Sequence, residues 1–414
     1  MSSLDYQYYP GRIKIDGVFI SNSKDKVDVT DLFVEFSLNT SITNSSAVAE
    51  ILLIDAVNLL AKYQINGGDD IYIEISYLDQ TKKYPLKIVS INRITHNDRQ
   101  RAYVLRCISS FGYFGYYKSV QGKLEGSPSE MAKSLFLENT KEEIGLWEES
   151  LGNQRIVVPN WSLGYTLEWL AQRAVWKDDS VRFRFFQDSN MRYNFMPIEK
   201  ALQLYKQKPV MKYSHNLIAN SIGPNQIPNS EAVNRAIKNI DYEDSFNITN
   251  AIQTGKLSSI KYSPNIVEKK YSVLGFDYFN NFSKERYLNS FPQFRKEDFE
   301  GATEQYTVNT SFTQQGKDVL NKVSDISSIR QSTLDESQTI NIEVVGNQVV
   351  DIGQVVDIEI ASPEPVSDNR DNDLDTRWSG LYYVVAKRDV FTRDEHKMVL
   401  AISKESQIVG DSLG

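Results

Sequence analysis

Hydrophobic and polar positions alternate along most of the first hundred residues. The stretches RIKIDGVFI (12–20), TDLFVEFSLNTSI (30–42), AEILLID (49–55), DIYIEISYL (70–78), PLKIVSINRIT (85–95) and RAYVLRCIS (101–109) each switch between apolar and polar, and clusters of Asn, Gly, Asp and Ser punctuate them. Period-two alternation puts successive side chains on opposite faces of a strand. Short strands at this spacing predict a small antiparallel barrel or sandwich. Burying one isoleucine contributes roughly 1.5–3 kcal/mol, so such half-buried strands can hold a domain together.

The period changes near residue 119. In GSPSEMAKSLFLEN, Ser127 stands as N-cap, Pro128 at the first helical position and Glu130 at the capping-box position, and Met131, Leu135 and Leu137 follow as the apolar positions. A second helix carries the stripe Leu163, Leu167, Leu170, Ala171 and Ala174. Two alternating runs around Asp188-Ser189-Asn190 read as a hairpin over 181–198. An α/β insert over 119–235 follows from these elements.

Strand texture then returns. A short helix at about 244–254 ends with Gly255 as its C′ residue, and a strand pair follows over 255–279. KDVLNKVSDISSIRQSTL (317–334) predicts a helix that packs Val319, Leu320, Val323, Ile326 and Ile329. The strands TINIEVVG, QVVDIEIAS, GLYYVVAKRDVF and KMVLAISK come after it. Three of these repeat earlier ones. Val356, Ile358, Glu359 and Ile360 stand at the same offsets from Gly353 as Ile71, Ile73, Glu74 and Ile75 do from Gly68. The next two strands align so that Arg93 meets Arg388, Leu105 meets Leu400 and Cys107 meets Ile402, with a longer acidic loop, SPEPVSDNRDNDLDTRWSG, in the second copy. Ile73 is expected over Ile358 and Leu105 over Leu400, all facing a core. The chain thus reads as mainly β with an α+β insert, two antiparallel β-barrels separated by the α/β insertion. The expected division is a first barrel over 1–118, the insert over 119–235, the first part of the second barrel over 236–288, a helical insertion over 289–334, and the rest of that barrel with a tail over 335–414.

Composition narrows the function. With 414 residues, 41% apolar and 24% charged, the chain can bury cores without staples. No run approaches ~20 apolar residues, and the start lacks the pattern of a signal peptide, so no membrane insertion is expected. One cysteine excludes an internal disulfide framework and fits folding in a reducing cytoplasm; three histidines leave little for zinc. A net charge of −8 argues against broad binding to nucleic acid.

No residue set reads as a catalytic, cofactor or metal site. Asp371, Asp373 and Asp375 alternate like half a calcium loop, but Thr376 stands where glycine is needed and Tyr382 where the bidentate glutamate is needed. A solvated acidic loop is expected. His96, His215 and His396 lie far apart, and His96 and His396 fall in matched hairpin turns where exposed polar residues belong. Cys107 alternates with Leu105 on a strand and reads as core. The pair Glu148 and Glu149 carries no glycosidase signal among 54 acidic residues. The aromatic run FGYFGYY (111–117) can stack on sugars or pack at the barrel-to-insert junction, and packing is the expectation.

The run IRQSTLDESQTINIEVVGNQVVDIGQVVDIEIASP, with WSGLYYVVAKRDVFTRDEHKMVLAISKES after it, resembles the closing barrel of baseplate hub proteins of contractile-tailed bacteriophages, a tube/spike adaptor family related to the hub part of type VI secretion spikes. There a helix ending in Arg leads to a strand, a Gly-Asn turn, a Gly-x-x-Val strand start and a Gly-x-Tyr strand. GKLSSIKYSPNIVEKKYSVLGFDYF also resembles a family segment, with Asn265 where Asp is usual. The likeness is good over 236–406, fair over 126–198, and architectural for the first barrel. It implies tube-protein-like barrels and a homotrimer whose barrels make a pseudo-six-fold ring. It implies as partners a tail tube or tube-initiator protein, a separate central spike and surrounding wedge proteins, with DNA only in passage. No enzymatic activity and no cofactor are implied, nor a lysozyme or spike domain in these residues. The location implied is the virion tail baseplate after assembly in the host cytoplasm. The rival reading is a tail carbohydrate-binding or cell-wall-degrading β-protein.

Overall fold

The computed structural model of the chain describes residues 11–409 apart from 23–24, 78–79, 98, 178–181, 216–229, 245–246, 254–256, 266–269, 281, 283–286, 295–302, 307–337 and 363–373. Every strand expected from alternation in the first hundred residues forms. The strands of both halves join one sheet of 13 strands. Its path starts at Ile237–Asp244 and runs through Gln338–Val345, His396–Lys404 and Gly380–Phe391. There it crosses to Phe33–Ser41 and continues through Val48–Asp55, Gln100–Ser109, Gln80–Asn97, Asp70–Tyr77 and Lys14–Ser21 to Lys26–Asp28. Val355–Glu359 and Lys212–Ser214 branch off Gly380–Phe391, and a bridge from Ser214 to Ala236 returns to the foot of Ile237–Asp244, curling the second half upon itself. The two halves, expected as separate barrels, are therefore stitched edge to edge.

The ladders show the duplication residue by residue. Ile73 sits opposite Tyr84 and Ile71 opposite Leu86; Ile358 sits opposite Gly380 and Val356 opposite Tyr382, two residues apart in the same sense. Leu105 faces Ile51 on one side as Leu400 faces Ile342. Ile73, Ile358, Leu105 and Leu400 are all fully buried, as the alternation expects. Each half also carries a β-bulge at the same place, between Ile88 and Ser90 and between Val384 and Ala386. One expected pairing shifts. A further bulge between Asn92 and Thr95, with Arg93 at φ 52°, means that Asn92, opposite Val104, matches Arg388, opposite Val399. An inserted residue of this kind is invisible to alternation, because a bulge interrupts the period locally.

Two apolar cores fill the halves, one around Phe36, Ile51, Ile73 and Leu105, the other around Ile342, Val356, Tyr382 and Leu400. A third belongs to the insert, where Phe111, Phe136, Leu167, Phe185 and Tyr193 pack together. The helix Pro128–Asn139 has the full capping box, Glu130 accepting from the Ser127 amide while Ser127 Oγ accepts from the Glu130 amide. Its buried face differs from the expected stripe. Met131 and Leu135 are joined by Ala132 and Phe136, while Leu137 is exposed, since one residue past Phe136 turns ~100° around the helix axis. Leu163–Arg173 buries Leu163, Leu167, Leu170 and Ala171 as expected. Phe183–Gln187 and Tyr193–Pro197 form the expected hairpin.

Between residues 236 and 306 the structure departs from expectation. Of the described residues in 236–288, assigned to the first part of the second barrel, only Ile237–Asp244 joins the large sheet; Ser258–Asn265 and Lys270–Asp277 pair with each other and, with the strand Thr303–Tyr306 from the stretch expected as a helical insertion, make a three-stranded sheet of their own. Alternation identifies a strand but not the sheet it joins. The short helix is Ile248–Gln253, and its expected C′ residue Gly255 lies outside the described residues. So do the helix expected over 317–334 and most of the acidic loop. Among the described residues no helix is long and apolar enough to cross a membrane.

Candidate functional site

The two halves and the insert meet at one buried polar cluster. Its scaffold is the tip of the insert hairpin. Asp188 Oδ1 accepts from the amides of Asn190 and Arg192, a short Asp-anchored turn that Met191 completes at φ 63°. The turn presents Ser189 to the second half. There the Ser189 hydroxyl donates to Asp351 Oδ2 at 2.8 Å and accepts from Lys387 Nζ at 3.2 Å. Lys387 Nζ also donates to the Val350 carbonyl at 2.9 Å and pairs with Asp389 at 3.2 Å. From the first half, Lys82 Nζ donates to the Ser189 carbonyl at 2.6 Å and to Asn190 Oδ1 at 2.8 Å. Three units thus share one hydrogen-bonded knot.

Electrostatics follow from burial. Burial alone would raise the Asp389 carboxyl, but Lys387 and the His396 hydrogen bond outweigh it and hold the group below the usual carboxylate range. Burial pushes His396 down, so its Nε2–H donates to Asp389 at 2.8 Å from a neutral ring that stacks on Phe391 at 4.3 Å. Burial, with Lys387 close by, pushes Lys82 down to about 8. Glycine at 346 is required here, because a Cβ would overlap the His396 ring. A cleft of about 230 Å³ opens beside the knot, with Asp188, Arg192, Asn194, Asp351 and Gln354 on its walls. The carboxylates there are committed: Asp188 pairs with Arg192 at 3.1 Å, and Asp351 accepts from Ser189, Asn190 and the Ile352 amide. The arrangement holds units together: the Ser189 hydroxyl, Asp351 and Lys387 spend their hydrogen bonds on joining the insert hairpin to the second half.

The structure scatters the residues weighed from sequence. His96 is exposed in its hairpin, with Arg101 Nε 3.4 Å from its Nδ1. His396, expected exposed in the matching turn, is buried, because its turn folds against Gly346 and Gly11. The backbone of His215 donates to Glu359. Cys107 is buried and burial pushes its thiol up, away from thiolate reactivity. Glu148 pairs with Lys200 at 2.8 Å. Asp375 accepts from the Arg377 and Trp378 amides, and Tyr382 is buried, its hydroxyl donating to the Trp378 carbonyl. Asp371 and Asp373 lie outside the described residues. The aromatic run divides: Phe111 packs in the insert core, whereas Tyr113, Tyr116 and Tyr117 are exposed. Lys387 and Asp389 were not singled out from sequence, and Ser189 was read only as a residue of the hairpin turn. The available signal was Lys387 and Asp389 two apart on a strand, on the same face as buried Phe391.

No family model and no curated protein matches the chain by sequence. Solved structures do match in shape. A tail protein from Neisseria meningitidis MC58 superposes with a TM-score of 0.55 at 11% identity, over 94% of this chain and 96% of that one. The 43 kDa tail protein of prophage MuSo2 from Shewanella oneidensis gives 0.55 at 8% identity, over 94% and 98%. Both alignments span the two halves and the insert, and with the duplicated ladder they show that this chain has the fold of these tail proteins.

Proposed function

We propose that the chain is a structural baseplate hub of a contractile phage tail: a homotrimer that joins the six-fold tail tube to a separate three-fold spike and forms part of the DNA exit channel. The observation that carries this reading is the internal joint, where the duplicated halves continue one sheet through Ala386–Phe391 against Phe36–Ser41. Two similar units fused edge to edge let three chains present six quasi-equivalent units, which reconciles a three-fold neighbour with a six-fold one. The buried knot supports the same reading, since it fixes the angle between the halves. Native mass spectrometry of the chain mixed with its tube and spike proteins is expected to give three copies per spike trimer. A stable dimer or hexamer would sink the proposal.

The exposed Tyr113, Tyr116, Tyr117 and Tyr165 favour the rival reading, because open aromatic faces stack on sugars. Binding to purified glycans, or clearing of a cell-wall suspension, would establish it; the hub reading expects neither.

A further inference from the structure

The joint inside the chain has two matching edges that no described strand of the chain uses. Within the joint, Phe391 lies opposite Phe36 and Ala386 opposite Ser41, and the Phe36 and Phe391 rings stack at 5.3 Å. Each side has a counterpart in the other half. Ser90–Asn97 occupies in the first half the place of Ala386–Phe391 in the second: both follow the shared bulge, and Arg101 faces His96 as His396 faces Phe391. Ile237–Asp244 occupies in the second half the place of Phe33–Ser41: Ile240 faces Ile342 as Phe36 faces Ile51.

Both counterparts are open. Residues 90–97 pair with Gln100–Ser109 on one side, and among the described residues no strand pairs with the other. Ile237–Asp244 pairs with Gln338–Val345 and, apart from the Ser214 bridge to Ala236 at its foot, no described strand pairs with its other side. An open edge invites another strand. Both edges expose apolar side chains, with Ile94 at 59% and Tyr242 at 45%. Their charges are opposite. The first edge carries Arg93 and its neighbour Arg101, the second Asp241 and Glu243.

We propose that the ring closes by strand addition between copies, residues 90–97 of one copy pairing antiparallel with Ile237–Asp244 of the next; this deepens, and rests on, the trimeric reading. Carrying the internal register across sets His96 opposite Ile240 and Thr95 opposite Asp241, and brings the Arg93–Ile94 bulge against Tyr242 and Glu243. The contact buries Ile94 on Tyr242 and pairs Arg93 with the acidic strand. The occupant is a second copy because the internal joint already shows the same two elements joined. The bulge at residues 92–95, absent from the internal joint, gives the contact between copies its own shape, a device that discriminates one edge from another. Each copy offers one edge of each kind, so the contact is head-to-tail, the kind that makes a ring when the rotation between copies returns to its start.

The test uses the full chain carrying Thr95→Cys and Asp241→Cys together. Opposed residues of an antiparallel pair have Cα atoms about 4.5–5.5 Å apart, within disulfide reach. Mild oxidation is expected to give a covalent trimer on a non-reducing gel, and neither single variant is expected to do so; Cys107 is buried and does not interfere. Arg93→Glu is expected to weaken trimer formation about tenfold and Arg93→Glu with Asp241→Arg to restore it, with thermal melts confirming that these surface variants fold. A native trimer that does not cross-link overturns this joint and leaves the trimeric reading standing. A monomer at every concentration, with or without spike protein, overturns that reading and the joint with it. A cross-linked ladder running past three copies supports the joint and overturns three-fold closure.

Discussion

Lys404 shows what a single buried charge does to the whole stability curve. It is fully buried, and its ammonium donates to the Arg377 and Ser379 carbonyls at 2.7 and 2.8 Å. Burial pushes it down to about 7, and Lys82 is likewise down to about 8, against 10.5 for an ordinary lysine. Between those values the unfolded chain holds protons that the folded chain has released. Stability therefore rises with pH across the window from about 7 to 10.5, and the contribution is absent below it. Calorimetry from neutral pH to about 9.5 is expected to show Tm climbing by several degrees, with Lys404→Met flattening the lower part of the climb. A Tm that is level or falling over that range contradicts this. The residue scale is also where sequence was least legible. Hairpin turns are usually wet, and nothing in HKMVLAISK says that the turn at His396 folds under Gly346 while its counterpart at His96 stays open.

At the scale of elements, alternation and caps carried most of the information. The helix Pro128–Asn139 was legible because Ser127, Pro128 and Glu130 each do a separate physical task at its start. Ser127→Ala is expected to cost about 1 kcal/mol, read as a lower midpoint in urea with an unchanged slope. No loss would mean that the Ser127 hydroxyl, which also contacts Ser129, is replaceable by local water. Which edge each strand chose was not legible. Ser258–Asn265 and Phe33–Ser41 alternate alike, yet one builds a small separate sheet and the other bridges the halves. Period two fixes a face; the neighbour is fixed by tertiary packing.

For the whole molecule, one sheet running through both halves predicts one cooperative transition. Far- and near-ultraviolet dichroism are expected to melt together. Phe391→Ala removes a fully buried ring that touches Phe36, Tyr77, Tyr84 and His396 at the joint. It is expected to cost roughly 3–5 kcal/mol and to separate the two dichroism curves as the halves uncouple. Coincident curves in that variant would show that the insert alone couples the halves. The duplication itself was legible, because three strands in one order are hard to match by chance; the stitched joint was not, because residues 36 and 391 lie a whole chain apart.

The joint at Phe36 and Phe391 is made within one polypeptide, so its formation does not depend on how much protein the cell has made. Its two edges meet at an effective concentration set by the intervening chain. In the proposed ring the remaining joints, charged where this one is aromatic, form only when copies collide, and they weaken as salt rises. In that ring half of the circle is finished at folding, and the other half waits on supply and ionic strength.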